Sequence, residues 1–169
     1  MNNFNIIKIC KSTFHKLLSM NYESDLNPNP QCTLIFPQKR QKKGIIKRIS
    51  EQELRLLFIE CIKEEYKNSL FYSIETPTEK KYRFVDGIEN FKQLEDKNCQ
   101  SALIDLTIFQ HKNNKLERIF IIEFKYKAAI EGIAKDIFKL MREQQSGAFI
   151  ILLKNSNKKT IPDRLKKIE

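Results

Sequence analysis

Three charged residues interrupt apolar segments in the second half of the chain. Asp105 lies within the apolar run 102–109, and Glu123 and Lys125 lie within the run 118–127. Both runs have the composition of buried strands, which are normally almost continuously hydrophobic. Side chains alternate between the two faces of a strand, so Glu123 and Lys125 project from the same face. If the two strands are neighbours, Asp105 joins them, and two carboxylates and an ammonium meet at one point of a sheet.

This combination of residue types suits metal-assisted phosphate chemistry. Carboxylate oxygens are hard ligands for Mg²⁺ or Mn²⁺, ions that keep most of their water molecules when a protein binds them. A neighbouring lysine can orient a water molecule or stabilise charge that develops on a phosphate. A structural alternative is an internal salt bridge between Lys125 and either Glu123 or Asp105. Buried ion pairs are seldom kept for stability alone, which favours the chemical interpretation.

Asp105, followed eighteen residues later by Glu123-Phe124-Lys125, resembles the signature of the PD-(D/E)XK nuclease superfamily. Ile104 stands where the name-giving proline would be, a departure that many members share. The resemblance covers residues 50–154. It implies an α/β fold with an αβββαβ restriction-endonuclease-like core, in which helices flank a central mixed sheet. It also implies a metal-dependent endonuclease that hydrolyses phosphodiester bonds. Asp105 and Glu123 would then hold one or two Mg²⁺ ions, with Mn²⁺ as a substitute, and Lys125 would position the attacking water or stabilise the phosphate.

A helix is predicted over residues 50–67, just before the strands. Ser50 and Glu53 have the spacing of a capping box, and an apolar stripe follows. In the resembled family a glutamate from the first helix often completes the metal site, so Glu53 is the candidate for that catalytic and metal-binding role. The capping box accounts for Glu53 equally well without a metal.

Two further segments have the pattern of strands. Residues 70–76 read as a strand that Pro77 ends, with residues 81–85 as its hairpin partner. Residues 148–154 form a fully apolar run, typical of a central strand. Together with the two charged runs and their flanking helices, these segments follow the order that the resemblance implies.

A second helix is predicted over residues 128–145. Lys135, Lys139 and Arg142 form a basic ridge on one side of it, at spacings i, i+4 and i+7. Lys135 and Lys139 are candidates for contact with nucleic-acid phosphates, the alternative being an ordinary solvated face. The stripe expected to pack on the sheet consists of Ile130, Ile133, Ala134, Ile137, Leu140 and Met141.

The formal net charge of +10 is concentrated at the two ends of the chain. Residues 1–49 carry +7, residues 154–169 carry +4, and the middle of the chain is nearly neutral. The segment 38–48 holds six basic residues and no acidic one, including Lys42 and Lys43. We interpret it as a loop that either contacts a phosphate backbone or is simply solvated. The predicted organisation is a basic N-terminal extension (1–49), a nuclease-like core (50–154) and a basic C-terminal tail (155–169).

Composition restricts the class of protein. Hydrophobic residues make up 41% of the chain and charged residues 31%, values typical of soluble globular domains. Four cysteines without paired spacing and only two histidines give no zinc pattern and fit a reduced, cytoplasmic protein. No run suits a signal peptide or a membrane span.

We predict a nucleic-acid partner, DNA in preference to RNA, no membrane partner, and a homodimer if both strands are cut. A non-catalytic nucleic-acid-binding or protein-interaction module on the same fold is the alternative.

Overall fold

The structure, a computed structural model, describes residues 4–41, 44–47, 50–67, 69–82, 100–126 and 130–153. These residues form three helices and eight strands, which confirms the predicted α/β class. The chain divides into two units, Met1–Asn68 and Ser69–Glu169. This division follows the helix that was expected to open the nuclease-like core, so it does not coincide with the predicted boundary at residue 49. No described helix is both long and apolar enough to cross a membrane.

The first unit packs two helices and short strands around a small apolar core. Its core contains Met20, Cys32, Phe36 and Leu57, all buried. A parallel pair of two-residue strands and an antiparallel hairpin complete it. In chain order, its elements are α1 (Ile6–Leu18), β1 (Asn21–Tyr22), β2 (Ile35–Phe36), β3 (Gln38–Gln41), β4 (Gly44–Lys47) and α2 (Glu51–Tyr66).

Helix α2 begins as the sequence predicts. The Ser50 hydroxyl accepts a hydrogen bond from the Gln52 backbone N–H, and the Glu53 carboxylate accepts from the Ser50 backbone N–H at 3.0 Å, which completes the capping box. At its other end, Lys67 adopts a left-handed conformation that ends the helix. The predicted apolar stripe is buried, from Leu54 to Ile62.

The basic segment 38–48 is not the loop that we expected. Strands β3 and β4 pair from Gln38 with Lys47 to Gln41 with Gly44. Its lysine-rich composition lacks the apolar alternation that marks a half-buried strand, and for this reason the hairpin was not predicted. Lys42 and Lys43 lie outside the described residues, as does the C-terminal tail 155–169.

The second unit is built on a four-stranded mixed sheet with the order β5-β6-β7-β8. Strand β6 is antiparallel to both of its neighbours, β5 and β7, and β8 is parallel to β7. Helix α3 supplies the crossover that a parallel pair requires. The elements are β5 (Phe71–Tyr82), β6 (Gln100–Lys112), β7 (Lys115–Tyr126), α3 (Ile130–Arg142) and β8 (Ser146–Leu152).

The hairpin predicted from residues 70–76 and 81–85 is wrong. A single strand, β5, continues through Pro77 to Tyr82 and pairs with β6 along its length. Proline is tolerated because β5 lies at the edge of the described sheet, where no ladder bond from its nitrogen is needed. The register shifts between Pro77 and Lys81, and there the Thr78 hydroxyl accepts a hydrogen bond from the Ala102 N–H at 2.9 Å.

Apolar side chains of β6 and β7 form a buried layer that stabilises the second unit. Ile104, Leu106, Ile108 and Ile122 are fully buried. Leu116, near the turn of the same hairpin, is 54% exposed. Two leucines on one hairpin therefore differ almost only in burial.

We expect Leu106→Ala to lower the free energy of unfolding by about 2–5 kcal/mol, because it leaves a cavity in this layer. Leu116→Ala is the matched control and should change it by less than about 0.5 kcal/mol. Urea unfolding followed by circular dichroism measures both. Equal effects of the two substitutions would contradict the described packing of β6.

Removal of the Ser50 hydroxyl tests the start of α2. Ser50→Ala should cost about 1 kcal/mol of stability, since backbone donors in the first turn lose their acceptor. Ser12, an exposed residue inside α1, provides the control, because its replacement by alanine removes no cap. A Ser50→Ala protein as stable as the Ser12→Ala protein would show that this cap does not contribute.

Candidate active site

The register of β6 and β7 places Asp105 next to Glu123. Leu106 and Ile122 form the last pair of the ladder at this end, and Asp105 and Glu123 are the next residues on their strands. Beyond that pair, the Asp105 carboxylate accepts a hydrogen bond from the Phe124 backbone N–H at 2.8 Å. A side chain thus replaces the ladder carbonyl and ties the two strands together where regular pairing stops. The predicted meeting of the two acidic residues is observed.

Helix α3 covers the face of β7 that carries Glu123 and Lys125. The Lys125 Nζ lies 2.8 Å from Asp136 Oδ2, and the Lys139 Nζ lies 2.5 Å from Glu123 Oε1. The same Lys139 Nζ is 2.9 Å from Asp136 Oδ1. Positive and negative groups therefore alternate between the strand and the helix. We call Asp105, Glu123, Lys125, Asp136 and Lys139 the charge cluster.

Burial divides the charge cluster into an inner and an outer part. The inner side chains, Glu123, Asp136 and Lys139, are each less than 10% exposed. Lys125 is 23% exposed, and Asp105 is half-buried. The outer pair is therefore the part that a ligand from solvent can reach, and the inner three set its position.

Electrostatic crowding shifts the ionisation of the inner groups. Burial raises the pKa of Glu123 to about 8, and the nearby Asp136 and Asp105 carboxylates act in the same direction, while the Lys139 ammonium opposes them. Burial lowers the pKa of Lys139, but Glu123 and Asp136 outweigh that effect and the net direction is upward. The carboxylates of the charge cluster therefore favour positively charged groups next to them.

Asp136 was not predicted as a site residue, and Lys139 was predicted on an exposed face of its helix, whereas it is buried. Asp136 and Lys139 lie on α3 and Glu143 directly follows the helix, at spacings i, i+3 and i+7, so the three lie on one side. All three are buried, and Glu143 accepts hydrogen bonds from the Tyr82 hydroxyl and the Glu79 backbone N–H. Charged residues of alternating sign at this spacing were the signal that could have identified the face.

Helix α3 is consequently rotated relative to the prediction. Met141, expected in the buried stripe, is 78% exposed, while Lys139, expected on an exposed basic ridge, is 7% exposed. The rotation follows from the sheet, because Glu123 and Lys125 require oppositely charged partners from the helix. Ile133 keeps its predicted place in the core. The position of Lys139 gives no support to a direct phosphate contact.

The roles predicted for four other candidate residues stay predictions. Glu53 is in the first unit, where it caps α2, and its role as a metal ligand stays a prediction. Lys135 is half-buried on α3, and its contact with phosphate likewise stays a prediction. Lys42 and Lys43, the other two predicted phosphate contacts, are outside the described ranges.

Asp105 and Glu123 suit a hard divalent cation that keeps most of its waters, because such an ion needs only one or two carboxylates. Across the part of the chain that the structure describes, no three His, Cys, Asp or Glu side chains are grouped so as to enclose a metal ion. Asp105 and Glu123 therefore provide two carboxylates, and a metal ion held by them stays a prediction.

Comparisons with protein families, with curated proteins and with solved structures found no match to this chain. Function must therefore be inferred from the chemistry of the site itself.

Asp136 should be essential to the integrity of the charge cluster. Asp136→Asn removes the negative charge that Lys125 and Lys139 share, and we expect a loss of about 3–5 kcal/mol of stability because buried charge is left uncompensated. Glu117→Gln, which breaks the exposed Lys112–Glu117 pair, should cost no more than about 1 kcal/mol. Thermal and urea unfolding measure both. An Asp136→Asn protein as stable as the control would mean that the buried pairs are energetically neutral.

Proposed function

We propose that this protein is a metal-dependent endonuclease of the PD-(D/E)XK type that hydrolyses phosphodiester bonds, in DNA rather than RNA. The observation that carries the proposal is the placement of Asp105 and Glu123 side by side where the β6–β7 ladder ends, with Lys125 on the same face as Glu123. The order of α2, β5, β6, β7, α3 and β8 along the chain supports the αβββαβ restriction-endonuclease-like arrangement.

Asp105 and Glu123 would hold Mg²⁺ or Mn²⁺ between the two strands. Such an ion, when bound, supplies a Lewis acid that favours ionised carboxylates and stabilises charge on a phosphate. Glu123 is fixed by the backbone of a central strand and by Lys139. Asp105 is fixed by its bond to the Phe124 N–H. Both carboxylates are therefore held in place by contacts within the second unit.

Lys125 would act on the attacking water or on the phosphate. Its ammonium is partly exposed, and the salt bridge to Asp136 restricts where the Nζ can lie. Restricting a cationic group near the reacting phosphate has catalytic value, because the stabilisation needs no reorganisation during the reaction.

A nucleic-acid substrate is consistent with the distribution of charge. The formal net charge of +10 attracts a polyanion, and basic residues are dense in the hairpin of β3 and β4. This attraction is independent of base sequence, so it supports binding to a phosphate backbone without specifying a recognition site. Cleavage of both strands of a duplex would call for two copies of the chain.

One observation favours a second candidate, the non-catalytic nucleic-acid-binding or protein-interaction module on the same fold. Lys125 and Lys139 are both paired with carboxylates, as they would be in a purely structural network. A module of this kind would bind its partner through its basic residues and leave the phosphodiester bond intact. Only the chemistry at Asp105 and Lys125 separates the two candidates.

The decisive assay is cleavage of supercoiled plasmid and of single-stranded DNA and RNA with Mg²⁺, with Mn²⁺ and with EDTA. We expect metal-dependent cleavage by the wild type and a loss on the order of 100-fold or more in Asp105→Asn and in Lys125→Ala. Lys112→Ala is the control, because it removes an exposed lysine of the same sheet. Circular dichroism of each variant confirms that it is folded.

Four results would count against the endonuclease. Cleavage that persists in EDTA would exclude the proposed metal. Full activity of Lys125→Ala would remove Lys125 from the catalytic role. Binding in a gel shift without cleavage of any substrate would favour the non-catalytic module, and neither binding nor cleavage would leave the cluster a structural one.

A further inference from the structure

The Lys139 ammonium is surrounded by oxygen atoms from three different elements. Its Nζ lies 2.5 Å from Glu123 Oε1 on β7, 2.9 Å from Asp136 Oδ1 on α3, and 2.9 Å from the Leu103 backbone carbonyl on β6. Two carboxylates and a carbonyl are oxygen donors of the kind that bind hard cations. The ammonium thus occupies a position whose oxygen neighbours suit a cation.

We propose that Lys139 is a built-in cation of the candidate active site, which fills a second cation position and restricts the site to one divalent ion. This inference deepens the proposed function, because it assumes that Asp105 and Glu123 hold that one ion. It assigns to Lys139 a positioning role through Glu123 in place of the phosphate contact that the sequence analysis predicted.

The balance of charge supports this role. The charge cluster contains three carboxylates and two ammoniums, so its formal charge is −1 with every group ionised. One divalent ion reverses that sign, and a second would have to enter a cluster that is already positive. Without the Lys139 ammonium the formal charge becomes −2, and the three oxygens are left without a cation.

Burial separates the roles of the two lysines. The Lys139 side chain is 9% exposed and has three oxygen partners from the surrounding elements, whereas the Lys125 side chain is 23% exposed and lies at the outer side of the cluster. A buried ammonium with three oxygen neighbours behaves as a fixed component of the structure. Lys139 therefore holds Glu123 in place before any metal arrives, and Lys125 remains the lysine available to substrate.

The test is the number of Mn²⁺ ions bound per chain, measured without nucleic acid by calorimetry and by electron paramagnetic resonance of free Mn²⁺. We expect one ion in the wild type and two in Lys139→Ala. Lys112→Ala is the matched control and should bind one, because it lies outside the cluster. Two ions in the wild type, or an extra ion in the control as well, would overturn the inference.

Four combinations of ion counts in the wild type and in Lys139→Ala distinguish a failure of this inference from a failure of the proposed function. One ion in the wild type and two in Lys139→Ala support both. No ion in the wild type and one in Lys139→Ala support the role of Lys139 but refute the metal-dependent nuclease. One ion in each protein overturns the role of Lys139 and leaves the nuclease standing. No ion in either protein overturns both.

Stability provides a second readout if Lys139→Ala folds poorly. Mn²⁺ at about 100-fold above its Kd should raise the Tm of Lys139→Ala by about 5–10 °C more than it raises that of the wild type, because the added ion replaces the lost ammonium. Lys139→Gln, which keeps a donor for the Leu103 carbonyl, should show the same gain. Absence of any additional Mn²⁺-dependent stabilisation in both variants would overturn the inference.

Discussion

Charge buried between β7 and α3 has to be neutralised inside the protein, and this requirement governs the second unit. Glu123 is buried near the C-terminal end of a central strand, where a lone carboxylate would cost several kcal/mol. Lys139 compensates it, and Asp136 in turn compensates both Lys139 and Lys125. Replacement of a buried ion pair by well-packed apolar residues is often neutral for stability, so stability alone does not account for this arrangement.

The same constraint determines how the helix sits on the sheet. Pairing with Glu123 and Lys125 turns Asp136 and Lys139 inward and leaves Met141 exposed. It also sets the boundary between the dry and the accessible parts of the site, since the inner three side chains are sealed while Asp105 and Lys125 remain partly open.

Local features of the sequence predicted local structure well. The capping box at Ser50 and Glu53 and the apolar stripe of α2 depend only on neighbours within a few residues, and both are observed. Pro77 was misleading because its effect depends on whether the strand is central or at an edge, which is a property of the sheet. The β3–β4 hairpin was not predicted because its strands lack the alternation of apolar and polar residues that indicates a half-buried strand.

For the site itself, the sequence by itself determined that Asp105, Glu123 and Lys125 lie in strands and that Glu123 and Lys125 share a face, because alternation along a strand is a local rule. Only the tertiary structure decided that β6 and β7 are neighbours in a register that sets Asp105 beside Glu123. Only the tertiary structure brought in Asp136 and turned Lys139 from a surface residue into a buried counterion. The physical reason is that the rotation of this helix against the sheet depends on the pairing of charges on the helix with charges on the sheet. The pattern of residues along the helix segment shows only the charges of the helix.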